Sequence, residues 1–237
     1  MVETITVDKR FNGPPDSGNG GYVGGKLAAA MEASCASVSL RMPPPLDQEL
    51  VVARDEGGLQ LRLDDGTVVA KAERTTVDIE LPPCPSYDEV VEAQLNYAGF
   101  AFHALPTCFV CGPSREEGDG LRIFASPLGD IVAAPWTPTE GLAEGGEVRT
   151  EFVWAALDCP GYFAVIHAMG SRGEKILTAR MAVEQVAPVN AGDPHIIVGW
   201  QTRSEGRKHW AGTALFDVDG ALKAKSEALW IQPRSTT

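Results

Sequence analysis

Two stretches decide the fold: GLQLRLDDGTVVAKAE, Gly58 to Glu73, and GTALFDVDGALKAKSEALWI, Gly212 to Ile231. Each is a strand-like run, an Asp-Gly turn and a second strand-like run that keeps an Ala-Lys pair in register after the glycine. Asp-Gly between such runs is a hairpin signal, and a type I′ turn is the expectation because Gly and Asp tolerate the dihedrals it needs. The same signal accounts for Asp217, Asp219 and Gly220, which otherwise resemble the start of a calcium loop. Upstream of each hairpin lies a Pro-containing connection (Met42 to Asp47; Val186 to Asp193), and further upstream an apolar, Ala-rich helical run. Two similar halves imply a duplication.

Working outward, the first half opens with a short strand, Ile5 to Asp8, and a Gly/Pro/Asn/Ser loop. Tyr22 to Ala33 then reads as a helix with a small apolar surface, capped by Asn19, with Gly20-Gly21 leaving backbone N–H groups accessible at its start. Ser37 to Arg41 and three further strand runs follow. The second half carries a Cys-rich loop from Pro106, strands Leu121–Phe124 and Asp130–Pro135, and the helix FVWAALD, Phe152 to Asp158. Pro160 is expected to break or bend that helix. Four strand runs close the half: Lys175–Val186, His195–Gln201, Trp210–Phe216 and Leu222–Ile231. The boundaries expected are residues 1–81 and 106–237 for the two repeats, with 82–105 as a linker holding a short helix over Tyr87 to Tyr97. Helices with hairpin-connected strands give an α+β class with an antiparallel sheet.

Composition narrows the function. The 237 residues carry a net charge of −12, which disfavours nucleic acid and anionic membranes as partners. No apolar run is long enough to span a bilayer, and MVETITVDKR lacks a secretory pattern, so a cytoplasmic protein is expected. Five cysteines, an odd number, argue against a disulfide framework. Cys108-x-x-Cys111 with His103, and Cys84 as a distant fourth ligand, is too incomplete a set for zinc, and no metal is expected. An anionic ligand would need a local basic patch, for which Arg172, Lys175, Arg203, Arg207 and Lys208 are candidates.

Three segments resemble acyl-CoA thioesterases. NGGYVGGKLAAAMEA (Asn19 to Ala33) resembles the start of the first-repeat helix of bacterial thioesterase II. VWAALDCPGYFA (Val153 to Ala164) is similar to the helix of single-domain hot-dog thioesterases, and PTCFVCGPSREEGDGLRIF (Pro106 to Phe124) to a Cys-rich segment that precedes it. The resemblance implies a double hot-dog, two copies of a central helix wrapped by a curved antiparallel sheet, hydrolysing acyl-CoA or acyl-carrier thioesters without a cofactor, coenzyme A being part of the substrate. It places a catalytic acid on Asp158 and a hydroxyl on Thr178. Backbone N–H groups at a helix start suit an oxyanion, which makes Asn19, Gly20 and Gly21 the candidates in the first copy, and Arg203, Arg207 and Lys208 of the basic set are the candidates for the coenzyme phosphates. The family's Gln position falls near Glu227-Ala228, where no Gln stands. The His-Gly-Gly of single-domain relatives is replaced by Arg149-Thr150-Glu151, while Val23-Gly24-Gly25 keeps that spacing in the first copy and sets Glu32 where the acid would be. These departures keep open a non-catalytic protein that binds acyl chains. A hydratase ranks last, because none of the four histidines falls at a helix start. Hot-dog sheets tend to pair edge to edge, so the assembly stays open between a homodimer of such chains and a single chain that already equals the familiar dimer.

Overall fold

A computed structural model describes residues 3–171 and 174–234. Its strands are β1 (Thr4–Thr6), β2 (Cys35–Leu40), β3 (Glu49–Asp55), β4 (Gly58–Arg62), β5 (Val68–Arg74), β6 (Ser126–Leu128), β7 (Ile131–Trp136), β8 (Ala143–Glu144), β9 (Glu147–Val148), β10 (Leu177–Gln185), β11 (His195–Glu205), β12 (Lys208–Asp217) and β13 (Leu222–Ile231). Its helices are α1 (Gly20–Ala30), α2 (Tyr87–Gln94) and α3 (Thr150–Ala168). Eleven strands form one sheet in the order β1-β3-β4-β5-β2-β10-β13-β12-β11-β7-β6, antiparallel at each pairing, and β8 and β9 form a separate small hairpin. The five strands of the first half occupy one end of the sheet and those of the second half the other. They meet at β2 and β10, where Val38 pairs with Met181 and Ser37 with Ala182.

Both deciding hairpins form, in corrected geometry. Gly66 (φ +84°) and Gly220 (φ +83°) take the left-handed conformation, while Asp65 and Asp219 do not. Gly66 N donates to Leu63 O and Gly220 N to Asp217 O. These are three-residue loops ending in a left-handed glycine rather than type I′ turns, which need positive φ at both central residues.

Helices α1 and α3 lie against each other, with α3 also packed on β11 and β12. Contact between the helices is at backbone distance. A Cβ on Gly21 would stand 2.6 Å from Trp154 O, and one on Gly25 2.4 Å from Glu151 Cα. The glycines are therefore required by the neighbouring helix. α3 also continues past Pro160 to Ala168, where the sequence predicted an end or a bend. The sheet supports it there: Thr213 Oγ1 donates to Leu157 O at 2.9 Å, and Gly199 admits the Pro160 carbonyl so closely that a Cβ would sit 2.7 Å from it. A proline interior to a helix loses one ladder hydrogen bond, here the one to Ala156 O, and the sheet packs beside that gap at Leu157 O and Pro160 O.

Two segments depart from their expected roles. Residues 82–105 contain α2, started by a reciprocal cap between Ser86 and Glu89. Its buried Val90 joins a second apolar cluster with Ala133, Ile196, Val198, Ala214 and Phe216, so this segment, packed on β7 and β11, covers the sheet face opposite α3. Strands β11 and β12 are thus buried on both sides, since Ile197 and Leu215 join the core under α3. Leu121–Phe124 is not a strand. Arg122 takes φ +53°, and Leu121 N and Ile123 N donate to Phe109 O and Val110 O of the Cys-rich loop instead of to a strand.

Candidate active site

The alternation that made Phe152 to Asp158 look helical and apolar places Asp158 in the middle of α3, 3% exposed, where the first turn of α1 meets the start of β10. A buried carboxylate demands partners, and it has three. Thr178 Oγ1 donates to Oδ1 at 2.9 Å. Asn19 Nδ2 and Gly21 N donate to Oδ2 at 2.9 and 3.1 Å. Gly21 N is one of the four amides that an α-helix leaves without an internal partner, so the positive end of α1 faces the acid. Asn19 works in both directions, since its Oδ1 also accepts from Tyr22 N and caps the helix. Burial raises the Asp158 pKa to about 6; the Gly21 amide, the Thr178 hydroxyl and Asn19 pull it down, and the nearby Cys108 sulfur pushes it up.

Of the residues singled out from sequence, Asp158, Thr178, Asn19 and Gly21 come together in this cluster. Asn19 Nδ2 and Gly21 N, expected to face an oxyanion, face the carboxylate instead. Gly20 adjoins the cluster without bonding the acid: a Cβ there would lie 3.4 Å from Thr178 Oγ1 and 3.2 Å from Leu40 Cδ1. Glu32 is exposed and lies beyond the end of α1 with φ +51°. Glu227 pairs across the sheet with Ala182 and Gly212 and sits 3.9 Å from Arg180.

Arg203, Arg207 and Lys208 are exposed at the β11–β12 hairpin. Arg203 stacks over Trp210, 3.6 Å from the ring centroid, and Arg207 Nη1 donates to Gln232 O at 2.8 Å. Register ties this hairpin to Thr178. Thr178 pairs with Trp230, Trp230 with His209 and His209 with Ser204, so the hairpin lies at the Thr178 end of the sheet. At about 4.8 Å per strand, β12 is roughly 10 Å from β10. Lys175 is exposed; Arg172 lies outside the described residues.

Sequence reasoning missed one acquaintance of the acid and the burial of Glu151. Cys159, its neighbour in α3, meets Cys108 and Cys111, whereas His103 and Cys84 do not join that group. Glu151, 7% exposed, closes the start of α3 with Lys26 and Arg149 at 3.9 and 3.6 Å. A cleft of about 380 Å³ lined by Arg10, Phe109, Asp119, Arg122 and Trp136 is separate from the cluster, since none of Asp158's hydrogen-bond partners lines it.

No protein family matches the chain by sequence, and no curated relative does. Solved structures do match. The tesB protein of Mycobacterium avium subsp. paratuberculosis aligns over 98% of this chain and 92% of its own, at 14% identity and a TM-score of 0.67. A thioesterase II–designated protein of Thermobifida fusca aligns over 98% and 92%, at 13% and 0.62. A protein of Alicyclobacillus acidocaldarius described as having a hot dog fold aligns over 98% and 93%, at 12% and 0.58. At these identities the likeness is one of fold: the chain has a hot-dog fold. No helix among the described residues is long and apolar enough to cross a membrane.

Proposed function

We propose that this chain is a thioester hydrolase, built as a double hot-dog, that acts on acyl-CoA or acyl-carrier thioesters with Asp158 as its base. The observation that carries the reading is the acid itself, buried in mid-helix and held by donors from both halves with a pKa near neutrality. A base poised near the working pH combines a useful ionised fraction with a useful affinity for a proton.

In the proposed reaction Asp158 takes a proton from water as the water oxygen attacks the thioester carbonyl. The tetrahedral intermediate expels the thiolate, which takes that proton back from Asp158, so thioester and water become carboxylic acid and thiol. Thr178 holds Oδ1 and so aims the carboxylate. The oxyanion falls to the α1 N-terminus, where Gly20 offers the approach that lacks a side chain. Arg203, Arg207 and Lys208, at the Thr178 end of the sheet, suit the phosphates of a coenzyme A ester.

A second reading, a protein that binds acyl chains without hydrolysing them, is favoured by one observation: Asn19 Nδ2 and Gly21 N are engaged by the carboxylate. Thiol release from acyl-CoA esters of graded length separates the two. Hydrolysis lost in Asp158→Asn, with circular dichroism unchanged, supports the enzyme. Saturable binding of acyl chains with no thiol release by the wild type supports the binder.

A further inference from the structure

Cys108, Cys111 and Cys159 bring three sulfurs within 4.8 Å of one another, all buried, with Cys108 Sγ and Cys159 Sγ 3.7 Å apart. The first two belong to a Cys-x-x-Cys-Gly turn, closed by Gly112 N donating to Cys108 O at 2.9 Å. Only glycine fits after the second cysteine: a Cβ on Gly112 would stand 2.5 Å from the carbonyls of both Cys108 and Pro106.

We infer that Cys108, Cys111 and Cys159 form a binding site for a soft d10 cation, zinc(II) or copper(I), which fastens the Cys-rich loop to α3 beside Asp158. Soft thiolate ligands select these ions. Zinc–sulfur bonds of about 2.3 Å meeting at the tetrahedral angle set sulfurs about 3.8 Å apart, close to the 3.7 Å between Cys108 and Cys159. An equilateral triangle of sulfurs with sides from 3.7 to 4.8 Å has its centre about 2.1 to 2.8 Å from each sulfur, a span that includes that bond length. His103 is not the fourth ligand. Its Nδ1 accepts from Leu105 N at 2.9 Å, so the proton of the neutral ring resides on Nε2 and blocks it. The fourth position on zinc is left to an external ligand, and copper(I) needs none. Burial also argues against a peroxide-sensing thiol, which works from a solvent-accessible position. The inference is independent of the hydrolase reading, since none of its three ligands acts in the proposed reaction.

The test is a titration of the full chain, stripped with a chelator under anaerobic reducing conditions, with cobalt(II), zinc(II) and copper(I). Cobalt should give a sulfur-to-metal charge-transfer band that saturates at about one ion per chain and that zinc abolishes. Elemental analysis of the protein as isolated distinguishes zinc from copper. Cys111→Ser and Cys159→Ser should each weaken binding at least about 100-fold, more than the loss of an outer partner costs, while Cys35→Ser and Cys84→Ser leave it unchanged. A folded, fully reduced wild type that gives no charge-transfer band with any of these ions would overturn the site. So would a band that survives both ligand variants or vanishes with Cys35 or Cys84. The wild-type titration decides even if a serine variant does not fold.

Discussion

Helices α1 and α3 pack against each other and do opposite things. α1 has 11 residues, is lined with glycine where it meets its neighbour, and carries no acid inside its span. α3 has 19, buries both Asp158 and Cys159 and presents bulky Trp154 to the glycines of α1. One helix supplies donors and space; the other supplies the charge that uses them. One acid is served by donors from both halves of the chain.

The sharpest way to break this comparison is at the acid. Asp158→Asn should lower thioester turnover by about 10³-fold, within the range for loss of a general base, whereas Glu32→Gln should change it less than 2-fold, in the same thiol-release assay. Next comes the glycine side: Gly21→Ala should destabilise the fold by about 1–3 kcal/mol through overpacking against Trp154 and Asp158, read by urea unfolding. Thr178→Val should lower kcat/KM by about 10-fold and move its pH midpoint upward, because that hydroxyl stabilises the ionised carboxylate. Arg207→Ala should raise KM for a coenzyme A ester by a few-fold at low salt, and leave a short thioester that lacks phosphates unaffected.

The pH dependence has two faces. As a base, Asp158 should make kcat/KM rise with pH and level off above about 6. For stability the sign is opposite. A carboxyl held at about 6 in the folded chain and near 3.8 in the unfolded one favours the fold at pH below the lower value, and that contribution disappears as pH rises through the upper one. Ionisation of Asp158 therefore costs the fold roughly 3 kcal/mol. Asp158→Asn should be more stable than the wild type at pH 8 and lose that advantage at pH 4, measured by thermal unfolding at both. An equal gain at both would place the cause in packing.

Much of this arrangement was legible in the sequence, and the failures have physical causes. Alternation and the Asp-Gly pairs located the hairpins, and Leu222–Ile231 was bounded correctly. Turn type was not, because Asp-Gly serves either geometry and the residues beyond it choose. Pro160 signalled a break from local rules alone, yet α3 continues through it while packed on β11 and β12, strands distant in sequence. The cover formed by α2 left a trace in the apolar run HIIVGW of β11, which is what a strand buried on both faces requires. Asp158 and Thr178 came from resemblance, since an Asp in an apolar run and a Thr in a strand are ambiguous alone. That Asn19 and Gly21 turn toward the acid follows from a helix-to-helix distance no sequence pattern encodes. Cys159 escaped notice because its partners are 48 and 51 residues away.

The seam between β2 and β10 has one more implication. Asp158 and Thr178 lie on one side of it and Asn19 and Gly21 on the other, so neither half contains the whole cluster. If the chain were cut between β5 and α2, the two fragments would have to dock edge to edge at β2 and β10 before the cluster around Asp158 could form again. Under the proposed hydrolase reading, thioester turnover would then report that reassembly, the cut chain working as a complementation pair.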